Sequence, residues 1–212
     1  KPAHGVRQRR RPHQARSTRR VQQILDQTAR LLEREGPNRL TTNLVASELG
    51  VSVGTLYHYF PNKHSILHVL GVNWLEAWQR AFDGVEAQVT AHTTVAEFVR
   101  RAVARMLPVY ESQHGVQHLV QAMFTIPELR ALDEGQDELA VRRLAKVFRR
   151  LGVRGTAAER ARLARLYLKI SNALLLEAIR QRGRAARRTL EDLRLLLVAL
   201  LDPCAMAQTP EE

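Results

Sequence analysis

The sequence predicts an all-α protein, with a small three-helix unit at the N-terminus and a larger helical unit behind it. Helix-favouring residues, chiefly Ala, Leu, Arg, Glu and Gln, dominate the chain, and the alternation of apolar and polar residues that marks strands is absent. Apolar residues recur instead at helical intervals, in segments bounded by Gly, Pro or capping residues. With 212 residues, 45% of them hydrophobic, the chain is long enough for one or two compact units with ample core.

A basic arm, residues 1–17, precedes the first predicted helix. Residues 1–20 carry eight Lys or Arg and no acid, within a net charge of +12 for the whole chain. Such a segment suits a polyanion, with nucleic acid the first candidate and anionic lipid the second. The alternative is a solvated terminus that only aids solubility.

The first predicted helix covers residues 18–35 and ends at Gly36 and Pro37, a pair that stops helices. Its buried face is expected to consist of Val21, Leu25, Thr28, Ala29 and Leu32. The second helix begins after Thr41, an N-cap, and closes at Gly50, which can take the left-handed conformation of a tight turn.

Ser52 caps a third helix of barely two turns, which ends before Pro61, and Asn62 caps a fourth. Two short helices joined by a tight turn have the layout of a helix-turn-helix. Leu56 and Phe60 lie four residues apart and therefore face the core together. The outward-facing residues of the third helix are then Val53, Gly54, Thr55, His58 and Tyr59.

The outward side carries groups that suit DNA. The hydroxyls of Tyr57 and Tyr59 can bind phosphates, and Gly54 lets the helix come close to a base edge or a sugar. Thr55 offers a hydroxyl and a methyl group, which suit a phosphate or the thymine methyl. Lys63, in the first turn of the fourth helix, adds a phosphate contact. The alternative is a small helical bundle with buried aromatic residues and no DNA.

The stretch LTTNLVASELGVSVGTLYHYFPNKHSIL, residues 40–67, resembles the DNA-binding signature of the tetracycline-repressor (TetR) family of bacterial transcription regulators, and the resemblance extends over residues 18–67. It implies a helix-turn-helix DNA-binding domain at 18–65 and a helical effector-binding and dimerisation domain at 66–212. The implied partners are double-stranded DNA with a palindromic operator, a second copy of the chain, and a small-molecule effector.

The resemblance also implies a role for each matching residue. Thr42 and Asn43 lie near the backbone at the start of the second helix. The major groove is faced by Val53, Gly54, Thr55 and His58. The phosphates are contacted by Ser52, Tyr57, Tyr59 and Lys63. Tyr59 stands where the family often has histidine, a change that keeps a phosphate contact available.

The last two predicted helices, residues 156–182 and 189–201, are apolar around nearly their whole circumference. A helix of that kind must be covered on two sides, one by its own domain and the other by a partner. Two such helices from each subunit would form a four-helix interface, as the resemblance implies; the alternative is one large core that covers both. The candidate dimer residues are Leu163, Leu166, Tyr167, Ile170, Leu174, Leu193, Leu197 and Leu200.

Soft and aromatic side chains recur at helical spacing in the larger domain and define a candidate effector pocket. The candidate residues are Trp74, Trp78, Met106, Tyr110, Met123, Phe124, Phe148 and Asn172, the last as a polar anchor. The alternative for each of the apolar residues is an ordinary place in the core.

Other function classes are not favoured by the sequence. It has no Gly-rich phosphate loop, nucleophile elbow or HExxH motif, so we expect no enzyme activity and no cofactor. His114 and His118 are four residues apart and share a face with Glu111, but Gly115 interrupts that helix and we expect no metal site. The chain has no apolar run of roughly 18 residues and no signal-peptide pattern. Its single cysteine, Cys204, fits a reducing cytosol, so we expect a cytoplasmic protein.

These features predict a DNA-binding transcriptional regulator, a repressor that a small-molecule effector releases from a palindromic operator. One alternative is a ligand-independent DNA-binding or architectural protein, in which the aromatic residues are simply core. A second is an enzyme that carries an incidental helix-turn-helix.

Overall fold

The structure, a computed structural model, describes residues 15–202, apart from the side chains at positions 15, 16, 128, 132 and 133. The basic arm therefore lies almost entirely outside the described residues. Within them the chain forms nine helices and no strand, as the composition predicts. The helices are α1 (Ala15–Arg39), α2 (Thr42–Glu48), α3 (Val53–Tyr59), α4 (Lys63–Glu86), α5 (Val95–Ser112), α6 (Val116–Thr125), α7 (Pro127–Arg150), α8 (Ala157–Arg180) and α9 (Gly183–Leu201).

Helix α1 breaks where the sequence predicts it. Gly36 has φ 74° and ψ 171°, which are not helical, and Pro37 follows it within the last turns. A φ in this range favours glycine because a side chain would be strained there. All five residues expected on the inner face of α1 are buried, Thr28 among them.

Capping side chains set the start of the next helices. The Thr41 hydroxyl accepts a hydrogen bond from the Leu44 amide at 3.1 Å and so caps α2. Asn62 Oδ1 accepts from the Ser65 amide at 2.8 Å, and the Ser65 hydroxyl donates back to the Asn62 carbonyl at 2.6 Å. Both N-caps confirm the sequence-based expectation, since a side-chain oxygen satisfies an amide that the helix leaves unpaired.

The chain divides into two compact units. The first consists of the described residues up to Glu76 together with Gln113–Gly135, and the second of Ala77–Ser112 together with the residues from Gln136 onward. Helix α4 contributes to both units. Helix α6 lies in the first unit, where it packs on α1. The domain limits proposed from the sequence, at residues 17 and 65, remain predictions.

In the second unit α8 and α9 pack against each other and both pack against α5. Three rings form the centre of this core. The Phe148 ring lies 6.3 Å from that of Phe98 and 5.6 Å from that of Tyr167. Tyr167 is buried, and this burial raises the pKa of its phenol because the ionised form would be desolvated.

Arg143 joins α7 to α4 in the same unit. Its guanidinium donates to Asp83 at 2.6 Å and to Glu86 at 2.5 Å, and it lies 4.6 Å above the ring of Phe82. Two carboxylates and an aromatic face together hold one long cation, which fixes the end of α4 against α7.

No helix within residues 15–202 is long and apolar enough to cross a membrane.

Candidate nucleic-acid interface

The turn between α2 and α3 is tight and closed by backbone hydrogen bonds. Gly50 has φ 63°, and the Val51 amide donates to the Ala46 carbonyl at 3.0 Å. Ser52 then begins α3, and its side chain accepts from the Thr55 amide at 3.1 Å. These contacts orient α3 against α2 in the way that the helix-turn-helix pattern predicts.

The inner side of α3 anchors the helix. Leu56 and Phe60 are fully buried, and Ala46 of α2 is buried where the helices meet. Aromatic and aliphatic burial of this size contributes about 1.5–3 kcal/mol for each side chain. A helix of only seven residues needs such anchors, because helices this short are not stable alone in water.

The outer side of α3 is open to solvent. Gly54, Tyr57 and His58 are exposed, and Val53, Thr55 and Tyr59 are partly exposed. On α2, Asn43 is exposed and Thr42 partly exposed. The structure therefore places the residues that the resemblance assigned to DNA on a surface that solvent reaches.

Gly54 has no internal reason to be a glycine. A Cβ built at this position would meet only the Ser52 hydroxyl oxygen, at 3.8 Å, and its φ does not lie in the left-handed range. Glycine inside a helix is unfavourable by about 0.5–1 kcal/mol relative to alanine. The residue therefore costs stability without serving the fold, which agrees with a need for close approach from outside.

Several hydroxyl groups on this surface already have partners. The hydroxyls of Thr42 and Tyr57 lie 3.2 Å apart and join α2 to α3. Those of Ser52 and Thr55 lie 2.9 Å apart. A hydroxyl can both donate and accept, so each pair keeps capacity for a phosphate oxygen while its orientation is fixed in advance.

Lys63 has a role that the sequence did not indicate. Its Nζ donates to the carbonyls of Pro37 and Leu40, each at 3.2 Å, just after the break in α1. Carbonyls at the end of a helix lack intrahelical partners, and an ammonium can satisfy them. An ammonium has three N–H groups, so these two bonds leave one for a phosphate.

The histidine pair His114 and His118 lies in the first unit, outside the helix-turn-helix. No group of three His, Cys, Asp or Glu within the described part of the chain could hold an ion. His114 Nδ1 instead lies 2.8 Å from Glu33 Oε2 and joins the turn before α6 to α1. Gly115 allows the close packing, because a Cβ there would lie 2.8 Å from the Ala29 carbonyl oxygen.

The candidate effector residues are divided between the two units. Trp74, Met123 and Phe124 belong to the first unit, and the other five to the second. Phe124 is 55% exposed. In the second unit the Tyr110 hydroxyl donates to Asn172 Oδ1 at 3.0 Å.

Trp78 stacks on Phe82 at 5.4 Å between ring centroids, and Phe148 belongs to the aromatic core.

A cavity of about 770 Å³ lies elsewhere in this unit, and none of the eight candidates lines it. It is lined by Val95, Leu151, Gly152, Val153, Arg154, Gly155, Glu159, Arg162, Leu163, Ala199, Leu200, Leu201 and Asp202. Among the eight candidates, the hydroxyl of Tyr110 and the amide of Asn172 are joined by a hydrogen bond.

Three of the candidate dimer residues, Tyr167, Leu193 and Leu197, are buried within their own protomer, and the dimer interface itself stays a prediction. The inward side of a helix and its outward side look alike when both are apolar, which is why periodicity did not separate them. The other five candidates are partly or fully exposed in the protomer: Leu163, Leu166, Ile170, Leu174 and Leu200. Leu195 and Leu196, which were not among the candidates, are 61% and 51% exposed.

Two family models match this chain. Residues 24–70 match "Bacterial regulatory proteins, tetR family", and residues 94–201 match "Tetracyclin repressor-like, C-terminal domain". Among curated proteins, the nucleoid occlusion factor SlmA of Pasteurella multocida is 31% identical over 116 residues. That match covers 53% of this chain and 57% of the relative, so the chain spans little more than half the length of that relative.

Solved structures have the same fold. The TetR-family regulator PfmR from Thermus thermophilus superposes with a TM-score of 0.66 at 22% identity, covering 84% of this chain and 94% of that one. A transcriptional regulator from Saccharomonospora viridis, solved in complex with choline, gives 0.60 at 23% identity, covering 85% and 96%. With both family models matched over the helices described above, the chain belongs to the tetR family of bacterial regulatory proteins, which bind DNA through a helix-turn-helix and are not enzymes.

Proposed function

We propose that this protein is a homodimeric transcriptional repressor of the cytoplasm, which binds a palindromic operator and is released from it by a small-molecule effector. The observation that carries the DNA-binding part is the outer side of α3. Gly54 costs helix stability without an internal reason, and the groups beside it are exposed and held in place by their neighbours. A surface built in this way suits the major groove, where backbone and small side chains must approach base edges.

Dimerisation is supported by apolar side chains on the outer sides of α8 and α9. Leu166, Leu195 and Leu196 are among the large hydrophobic residues that one protomer leaves exposed. An apolar stripe shared by two packed helices suits a second copy of the same stripe in a two-fold interface. A pair of seven-residue recognition helices would then read two half-sites, which explains the expectation of a palindrome.

Release by an effector is supported by the polar pair inside the second unit. Tyr110 is buried, and its hydroxyl is bound to Asn172, a side chain with further hydrogen-bonding capacity. A ligand that bound there would have to favour one of two arrangements of the dimer in order to change DNA affinity. The coupling would be reciprocal, so operator DNA would weaken the binding of the effector by the same factor.

A second candidate is a DNA-binding protein that acts without an effector. It is favoured by the dense packing around the aromatic residues, since Phe148 and Met123 are almost completely buried. The curated relatives in Pasteurella and Actinobacillus are named nucleoid occlusion factors, not repressors. A protein of this kind would need the helix-turn-helix and the dimer but no pocket.

Two experiments test the proposal. Fragments of genomic DNA that the full chain retains should share a palindromic sequence and lie upstream of genes. A thermal-shift screen of small molecules, with choline as one probe, should then find compounds that raise the melting temperature and lower operator affinity together. Retained fragments without a common palindrome would contradict the repressor model. A palindrome with no effector in the screen would favour the second candidate.

A further inference from the structure

The turn between α8 and α9 carries a dense group of positive charges. Residues 180–188, RQRGRAARR, contain five arginines and no acid. We call Arg180, Arg182, Arg184, Arg187 and Arg188 the arginine turn. All five side chains are exposed. Like charges at this density repel one another, so the arrangement costs free energy unless a polyanion offsets it.

Within residues 15–202, few carboxylates neutralise these charges. Arg180 lies 3.5 Å from Glu177, a long and exposed ion pair. Among the described residues, no carboxylate forms an ion pair with the other four arginines. Glu191 and Asp192 follow one turn later on α9 and are exposed, but they are not bound to the arginine turn in the protomer.

The backbone of the turn is held firmly. The Gln181 side chain donates to Glu177 at 2.9 Å and accepts from the Thr189 hydroxyl at 2.7 Å, so it bridges α8 and α9. Gly183 has φ 61°, and Arg182 occupies the N-cap position of α9 without a side-chain hydrogen bond to the helix. The first amides of α9 therefore add their partial positive charge to that of the arginines.

The direction of the helices places the arginine turn at a defined end of the second unit. Phe98 contacts Tyr167, and Tyr110 further along α5 binds Asn172 further along α8. Helices α5 and α8 therefore run in the same sense. The arginine turn therefore lies beyond the C-terminal end of α8, at the end of the second unit toward which α5 runs to Ser112.

We propose that the arginine turn is a second DNA-contacting surface, which binds backbone phosphates of a DNA duplex. Arginine donates in a planar fork that fits phosphate oxygens, and exposed arginines need no rearrangement to do so. Contacts of this kind carry no sequence information, so the surface adds affinity and leaves the choice of sequence to α3. The inference rests on DNA binding through α3.

The test compares two triple variants of the full chain on a fluorescent mixed-sequence duplex across a KCl series. The first variant combines Arg184→Gln, Arg187→Gln and Arg188→Gln. The control combines Lys146→Gln, Arg149→Gln and Arg154→Gln, which are exposed, lie near the opposite end of α8 and remove the same net charge. The 24 residues of α8 put about 36 Å of helix between the two sites.

We expect the first variant to lower the slope of log affinity against log salt by about 2.7 for each bound protomer, at about 0.9 for each of the three lost phosphate contacts. The control should leave the slope close to that of the wild type. Melting temperature and sedimentation should be unchanged in both variants, since none of the six side chains is buried.

Three results would overturn the inference. An unchanged slope in the first variant would show that the arginines do not touch DNA. Equal losses in both variants would show an effect of overall charge. A slope change accompanied by dissociation of the dimer would show that the arginines bind the partner subunit. If the wild type itself failed to bind duplex, DNA binding through α3 would fall as well, so the two failures are distinguishable.

Discussion

Replacing Lys63 with Met would remove one ammonium and keep an unbranched side chain of similar length. In the wild type, Nζ donates to the Pro37 and Leu40 carbonyls, each at 3.2 Å, from a partly buried position. Hydrogen bonds with a charged partner contribute about 1.5–3 kcal/mol at most sites. Both bonds here are long and partly solvated, so we expect the free energy of unfolding to fall by about 1–2 kcal/mol in total.

Urea unfolding followed by circular dichroism measures this loss in the absence of DNA. Lys146→Met is the matched control, because Lys146 is exposed on α7 and a surface substitution of this kind changes stability by about 0.5 kcal/mol or less. The slope of the unfolding free energy against urea should be the same in all three proteins, since the surface exposed on unfolding does not change.

The same variant also tests the contact with DNA. If the third N–H of Lys63 binds a phosphate, Lys63→Met should lower the salt slope of DNA binding by about 0.9 for each bound protomer. Unchanged stability would refute the role of Lys63 in holding the end of α1. An unchanged slope would refute its phosphate contact. The two roles are therefore tested separately with one protein.

Four further substitutions test the interface and the dimer. Gly54→Ala should stabilise α3 by about 0.5–1 kcal/mol in thermal unfolding. It should also weaken DNA binding about tenfold or more, and a tenfold loss corresponds to about 1.4 kcal/mol of binding free energy. Undiminished affinity would mean that Gly54 does not face DNA. His58→Ala should alter which sequences are enriched in a selection from random DNA, while the salt slope on mixed-sequence duplex stays the same. Leu195→Glu should give a folded monomer in sedimentation, because Leu195 is exposed. Leu197→Glu should unfold the protein, because a charge at a fully buried position costs several kcal/mol. If both leucine variants remained folded dimers, this assignment of the inner and outer faces of α9 would be wrong.

Local signals in the sequence predicted much of the DNA-binding unit correctly. Thr41, Ser52 and Asn62 cap the helices that follow them, and Gly36 breaks α1, as the pattern indicates. Each of these features depends on residues within three or four positions along the chain, such as a hydroxyl and the amide that it accepts from. Such interactions can be recognised in a sequence because the partner is always nearby.

The larger unit was harder to predict because its contacts are not local. Hydrophobic periodicity shows that a side of α8 or α9 is buried, but not whether its neighbour belongs to the same protomer or to a partner. Tyr167 and Leu197 were for this reason assigned to the dimer, whereas they lie in the protomer core. Only the packing of α9 against α5 and α8 separates its inner leucines from Leu195 and Leu196.

The sequence by itself determined the all-α fold, the helix-turn-helix and the family, because these depend on composition, caps and a motif of fixed spacing. The tertiary structure alone decided that Lys63 binds the Pro37 and Leu40 carbonyls, more than 20 positions away in the sequence. It alone showed that Gln181 holds the arginine turn between α8 and α9. The physical reason is that a side chain can find a partner anywhere that folding brings within about 3 Å, and only the coordinates of both groups identify the pair.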